Sequence, residues 1–216
     1  MPVEVKICGL STQETLDCAI EAGADYVGLV FYPASPRNVT MEKAAELAEQ
    51  ARGRAKIVAL IVDANKEAID SIAHKVRPDY FQAHGQEKPE TIKAITDATG
   101  IPVIKAIKVL TDGDVELARA YRDCADMILF DAKAPEKLAK ALPGGNGLAF
   151  DWSLLDKNRA PKRFMLSGGL NAVNVARALR ATGAPIVDVS SGVESRPGIK
   201  DLGLIREFIS AARTEP

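Results

Sequence analysis

Two side chains in this sequence stand where a reaction could use them: the thiol of Cys8 and the carboxyl of Asp131, each closing a short apolar run. Val3, Val5 and Ile7 alternate, so Glu4, Lys6 and Cys8 share the opposite face of a strand, and Gly9 lets the chain turn away sharply. A thiol placed there can serve as a base or nucleophile once ionised. The bland alternative is small core filling, a common fate of free cysteine. Asp131 ends the run Met127-Ile128-Leu129-Phe130 and has no obvious charged partner. Other polar residues fall at similar places: His84 in Gln82-Ala83-His84-Gly85, Lys105 in the fifth apolar run, and Asp188 in Ile186-Val187-Asp188-Val189-Ser190. Alternation turns Asp188 away from Val187 and Val189, toward the side that Lys6 faces. The two could tune a site or simply satisfy each other as a buried ion pair.

Arg37 ends the proline-stiffened stretch Tyr32-Pro33-Ala34-Ser35-Pro36. Its guanidinium could grip a carboxylate with two parallel hydrogen bonds, or it could be a solvated arginine beside a helix starting near Thr40. His84 could donate to a substrate or be a satisfied histidine. Trp152 reads as an anchor for a returning loop. Ser167-Gly168-Gly169 and Ser190-Ser191-Gly192 each combine hydroxyls with glycines that let backbone N–H groups approach an anion closely. Either motif alone is only a turn. As consecutive strand exits, they predict a phosphate site at Gly168, Gly169, Ser191 and Gly192.

The elements that must carry these groups alternate from end to end. Strands are expected over Val3 to Cys8, Tyr26 to Phe31, Lys56 to Val62, Tyr80 to Ala83, Pro102 to Ala106, Met127 to Asp131, Phe164 to Ser167 and Ile186 to Ser190. Between them, Thr12 to Ala22, Thr40 to Ala51, Lys88 to Thr99 and Asn174 to Ala181 carry apolar residues at helical spacing, and Leu202 to Arg213 closes the series. Eight β-then-α units in 216 residues predict a single-domain (β/α)8 TIM barrel spanning residues 1–216, an α/β fold whose active site lies at the C-terminal strand ends. A doubly wound sheet is the runner-up. The stretch from Ala132 to Asp151, with its Gly144-Gly145-Asn146-Gly147 run, is expected to be a mobile loop.

Composition narrows the partners. Its 28 basic and 29 acidic residues leave a formal charge of -1, which recommends neither nucleic acid nor an anionic membrane. No run approaches the ~18 apolar residues of a membrane span, and no signal peptide opens the chain, so a cytoplasmic protein is expected. Cys8, Cys18 and Cys124 are odd in number and lack metal-ligand spacing, which speaks against disulfides and zinc.

Several motifs in one order give the chain a family likeness. Lys6-Ile7-Cys8-Gly9, Ser35-Pro36-Arg37, His84-Gly85, Asp131, Phe150-Asp151-Trp152, Leu166-Ser167-Gly168-Gly169-Leu170, and Asp188 through Glu194 to Pro197-Gly198 resemble the phosphoribosylanthranilate isomerases of tryptophan biosynthesis. The resemblance implies conversion of N-(5-phosphoribosyl)anthranilate to 1-(o-carboxyphenylamino)-1-deoxyribulose 5-phosphate, without cofactor or metal. It implies Cys8 as general base, Asp131 as general acid, Arg37 as ligand of the anthranilate carboxylate, and the two glycine turns as phosphate binders. His84 and Asp188 join Arg37 as candidate substrate-binding side chains. Ala83 and Asn146 depart from the family's more usual leucine and threonine, without touching acid or base. The histidine-pathway aminoaldose isomerases resemble duplicated half-barrels and use an aspartate at the end of strand one, so Cys8 argues against them. A non-catalytic sugar-phosphate barrel is the alternative from another class.

Overall fold

The computed structural model describes residues 2–132, 150–155, 161 and 163–214. Eight parallel strands pair in chain order: β1 (Glu4–Cys8), β2 (Tyr26–Phe31), β3 (Lys56–Ile61), β4 (Tyr80–Ala83), β5 (Val103–Val109), β6 (Met127–Ala132), β7 (Phe164–Leu166) and β8 (Ile186–Val189). Pairing of β8 with β1 closes the sheet and rules out the doubly wound alternative. Around the barrel lie α1 (Gln13–Glu21), α2 (Met41–Ala51), α3 (Lys66–Lys75), α4 (Pro89–Thr99), α5 (Asp112–Glu116), α6 (Val175–Thr182) and α7 (Leu202–Arg213). A small antiparallel hairpin of β9 (Glu194–Arg196) and β10 (Ile199–Lys200) follows β8.

Alternation along each strand divides the core in two. Tyr26, Val58, Ile104, Leu129, Met165 and Ile186 fill the barrel's lower interior, whereas Ile7, Val27, Ile57, Phe81, Phe130 and Val187 pack outward against the helices. Above the lower apolar layers the interior turns polar, with Lys6, Gln82, Asp131 and Asp188 all buried. Three aspartates preceding strands pin the barrel's other end: Asp25, Asp79 and Asp126 accept from the N–H groups of Val5, Ile57 and Val103 at 2.7, 2.8 and 2.9 Å. Each clasp ties an even-numbered strand to the one before it.

Differences from the sequence reading have local causes. The fifth strand runs three residues beyond Ala106, because Ile107 and Val109 continue the buried alternation and pair with Phe130 and Ala132 of β6. Helix α3 gives little helical periodicity, since its buried apolar stripe is only Ile69 and Ile72, and α5 is a single five-residue turn. The expected loop from Ala132 to Asp151 lies mostly outside the described residues. No helix among the described residues is long and apolar enough to cross a membrane.

Candidate active site

All nine candidate side chains and turns line one pocket at the C-terminal strand ends. The pocket encloses about 730 Å³, open solvent at its mouth included.

Cys8, the last residue of β1, is buried on the pocket floor. Its partner in register is Gly28 of β2, and a Cβ on Gly28 would stand 2.8 Å from Cys8 Sγ and 3.0 Å from its Cα. The thiol therefore occupies space that only a glycine leaves open. Two residues earlier, fully buried Lys6 donates to Asp188 Oδ1 at 2.7 Å, and Ser167 Oγ donates to Asp188 Oδ2 at 2.9 Å. Both readings of this pair hold in the geometry: it is a satisfied buried ion pair, and it lies against the thiol. Burial pushes the Cys8 thiol up from its ordinary range, Asp188 adds to that push, and the ammonium groups of Lys6 and Lys200 oppose it. Burial pulls the Lys6 ammonium down, but Asp188 and Cys8 outweigh it, leaving Lys6 raised and charged.

Across the barrel, Asp131 in β6 has a hydrogen-bond partner at each oxygen. Ala132 N–H reaches Oδ1 at 2.9 Å, and His84 Nε2 lies 3.1 Å from Oδ2. His84 Nδ1 lies in turn 2.8 Å from Gln82 Nε2, and all three side chains are buried. Gln82 and His84 meet because His84, the residue just past β4, continues the strand's alternation onto the face of Gln82.

Arg37 is buried, not solvated. Its Nε and Nη2 donate to Glu194 Oε1 and Oε2 at 2.7 and 2.8 Å. Glu194 also accepts from Lys200 Nζ at 2.8 Å and from Gly198 N–H at 3.2 Å. Burial raises the Glu194 carboxyl, but Arg37 and Lys200 outweigh it and hold it below its ordinary range. Lys200 donates to Ser190 O at 2.8 Å, and Ser190 Oγ donates to Cys8 O at 3.0 Å, tying Arg37's support to the backbone of the candidate base. Gly9, at φ +80°, turns the chain out of β1 beneath the Arg37 stem, where a Cβ would sit 2.7 Å from Arg37 Cδ.

The two glycine turns form the opposite wall. Gly168 and Gly169 have φ of +88° and +62°, and a Cβ on Gly168 would strike the Ala132 backbone nitrogen at 2.5 Å. A Cβ on Gly192 would overlap the carbonyl oxygen of Leu170, so the seventh and eighth strand exits pack backbone to backbone. Lys105 does not join the pocket. It points outward from β5 and binds Glu87 at 2.7 Å and Gly85 O at 2.8 Å, bracing the turn after β4. Trp152 also lies off the pocket, buried with the Arg177 guanidinium 5.2 Å over its ring.

This geometry has counterparts among known proteins. The family described as N-(5'-phosphoribosyl)anthranilate (PRA) isomerase matches residues 5–211. The chain belongs to the phosphoribosylanthranilate isomerase family. An isomerase of that name from Paramagnetospirillum magneticum is 52% identical over 213 residues, covering 99% of this chain and 98% of the relative. One from Rhodopseudomonas palustris (strain BisB5) is 54% identical over 99% of this chain and 97% of its own. Among solved structures, the Thermotoga maritima phosphoribosylanthranilate isomerase superposes with a TM-score of 0.87 at 38% identity, covering 98% of this chain and 99% of that one. A phosphoribosylanthranilate isomerase crystallised with reduced 1-(o-carboxyphenylamino)-1-deoxyribulose 5-phosphate gives 0.84 at 36% identity, over 98% and 99%.

Within this isomerase fold, sequence reasoning assigned no role to Gln82, Gly28, Glu194 or Lys200. Gln82 was within reach, because it precedes His84 by two residues at the end of a strand. Glu194 was not: it meets Arg37 across 157 positions of chain, which no local pattern encodes.

Proposed function

We propose that this chain isomerises N-(5'-phosphoribosyl)anthranilate to 1-(o-carboxyphenylamino)-1-deoxyribulose 5-phosphate, the aldose-to-ketose step of tryptophan biosynthesis. One observation carries the mechanism: a carboxyl, Asp131, and a thiol, Cys8, line the same pocket between a buried arginine and two glycine turns. Asp131 gives its proton to the ribose ring oxygen as the C1′–O bond breaks, and the anthranilate nitrogen's lone pair forms the C1′=N bond of a protonated Schiff base. The Cys8 thiolate then takes the proton from C2′. The C–H electrons form C1′=C2′, and the nitrogen recovers its lone pair as an enolamine that tautomerises to the ketone. Because burial holds Cys8 largely as thiol, the thiolate is a minor but strongly basic form, and Lys6 and Lys200 offset part of its cost.

Substrate ends fit the two walls. Arg37, oriented by Glu194, meets the anthranilate carboxylate, and His84 and Asp188 border the ribose between acid and base. Backbone N–H groups around Gly168, Gly169, Ser191 and Gly192 receive the phosphate. One domain spanning residues 1–216 supplies every group, and the three free cysteines suit the reducing cytoplasm. The test is turnover of phosphoribosylanthranilate, followed by loss of anthranilate fluorescence, with Asp131→Asn as its control. A positioned acid contributes ~10²- to 10⁴-fold, so the amide should cost at least that in kcat. A wild-type protein without turnover refutes the function; an active Asp131→Asn moves the acid, with His84 next in line.

A further inference from the structure

Gln82 lines the pocket but enters no step above. Its side chain is fully buried, with Nε2 2.8 Å from His84 Nδ1, while Oε1 has no hydrogen-bond partner among the described residues. The amide is thus held by what its nitrogen does. In this amide orientation the nitrogen, which carries two hydrogens and accepts none, faces Nδ1 and makes it the acceptor. A neutral imidazole that accepts at Nδ1 carries its hydrogen on Nε2, the atom 3.1 Å from Asp131 Oδ2. The chain of hydrogen bonds therefore has one direction, from Gln82 through His84 to Asp131.

We propose that Gln82 is a positioning residue that fixes His84 in its Nε2–H tautomer and thereby the plane of the Asp131 carboxyl. Ala132 N–H on Oδ1 supplies the other point of attachment. Two donors on two oxygens stop the carboxyl from rotating about its Cβ–Cγ bond and aim the proton that it gives up into the pocket. With the hydrogen on Nδ1 instead, Nε2 becomes an acceptor, and Oδ2 loses the donor that orients it. The proposal rests on Asp131 as the acid and adds the group that orients it.

The chain has only two histidines, His84 and the exposed His74 on α3, so nitrogen-15 histidine labelling reads the tautomer directly in the intact protein. Comparison with His74→Gln assigns the signals. The wild-type protein should show His84 with Nε2 protonated and Nδ1 bare. Gln82→Glu puts an acceptor-only group opposite Nδ1, so it should move the hydrogen to Nδ1. It should also lower kcat on the order of ten- to a hundredfold, the scale on which small misplacements act, while KM changes little. An Nδ1–H tautomer in the wild-type protein overturns the proposal without any variant. So does a folded Gln82→Glu protein with shifted tautomer and unchanged kcat. Full turnover by Asp131→Asn would instead sink the acid reading, and the tautomer signal, which needs no turnover, separates the two failures.

Discussion

Gly28→Ala is the smallest change aimed at the base, and its size follows from the barrel's geometry. The added methyl would stand 2.8 Å from Cys8 Sγ, whereas non-bonded heavy atoms settle at ~3.5–4.0 Å, so the sulfur must retreat by at least ~0.7 Å. Rotating the thiol aside does not suffice. The same methyl would lie 3.0 Å from Cys8 Cα, and these residues face each other in the parallel ladder, so the two strands must also spread. Overpacking of this kind costs about 1–3 kcal/mol of stability. A ~1 Å misplacement of a reacting group can cost ~10²-fold, so kcat should fall by about ten- to a hundredfold. KM should hardly change, because Arg37 and the glycine turns are untouched. Steady-state kinetics by anthranilate fluorescence, with thermal denaturation alongside, reads both effects. Adding Cys8→Ala to Gly28→Ala should recover only the part of the stability that the sulfur contact costs, because Cα and Cβ at position 8 still crowd the new methyl, and should recover no turnover. A folded Gly28→Ala enzyme with wild-type kcat would refute the link between thiol position and rate.

Cys8→Ser should lose orders of magnitude in kcat, because a hydroxyl is far less acidic than a thiol, while Cys18→Ala with Cys124→Ala should keep most activity; normal turnover by Cys8→Ser would pass the base role to Asp188. Arg37→Lys keeps the charge but cannot span both oxygens of Glu194, so kcat/KM should fall, and wild-type kinetics would mean that the carboxylate is held elsewhere. In a Cys18→Ala/Cys124→Ala background, thiolate absorbance should titrate Cys8 above the ordinary ~8.5, since burial favours the neutral form; a midpoint at or below that value contradicts the burial argument.

What the sequence made legible was whatever repeats at short range. Alternation alone put Lys6, Cys8 and Asp188 on one face, and the register Lys6 to Asp188 confirms that they share it. Glycines after serines marked the exits of β7 and β8 without help from the rest of the chain. Groups that depend on closure of the barrel stayed hidden. Gly28 matters because β2 passes beside the thiol, and Glu194 matters because the hairpin after β8 folds back under the loop after β2. Lys105 shows the converse. It stands on a strand near the active end, yet its neighbour Ile104 takes the interior position, so Lys105 faces the helix side and braces the turn below His84.

Removing Lys6 separates its two roles, structural pairing and support of the thiolate. Lys6→Met leaves Asp188 buried without its cation, a loss that costs about 3–5 kcal/mol when one partner of a buried pair is deleted. It also removes a positive charge that holds Cys8 down, so the thiol should titrate higher still. Lys6→Met with Asp188→Leu removes both charges and leaves apolar groups in their place, which should restore most of the stability. That double variant also removes the Asp188 charge that pushes Cys8 up, so its thiol should return part of the way toward the wild-type value. The single variant therefore differs from the double in both stability and thiol titration. A Lys6→Met protein whose Cys8 titrates as in wild type would show that the ammonium holds Asp188 and has no influence on the thiol.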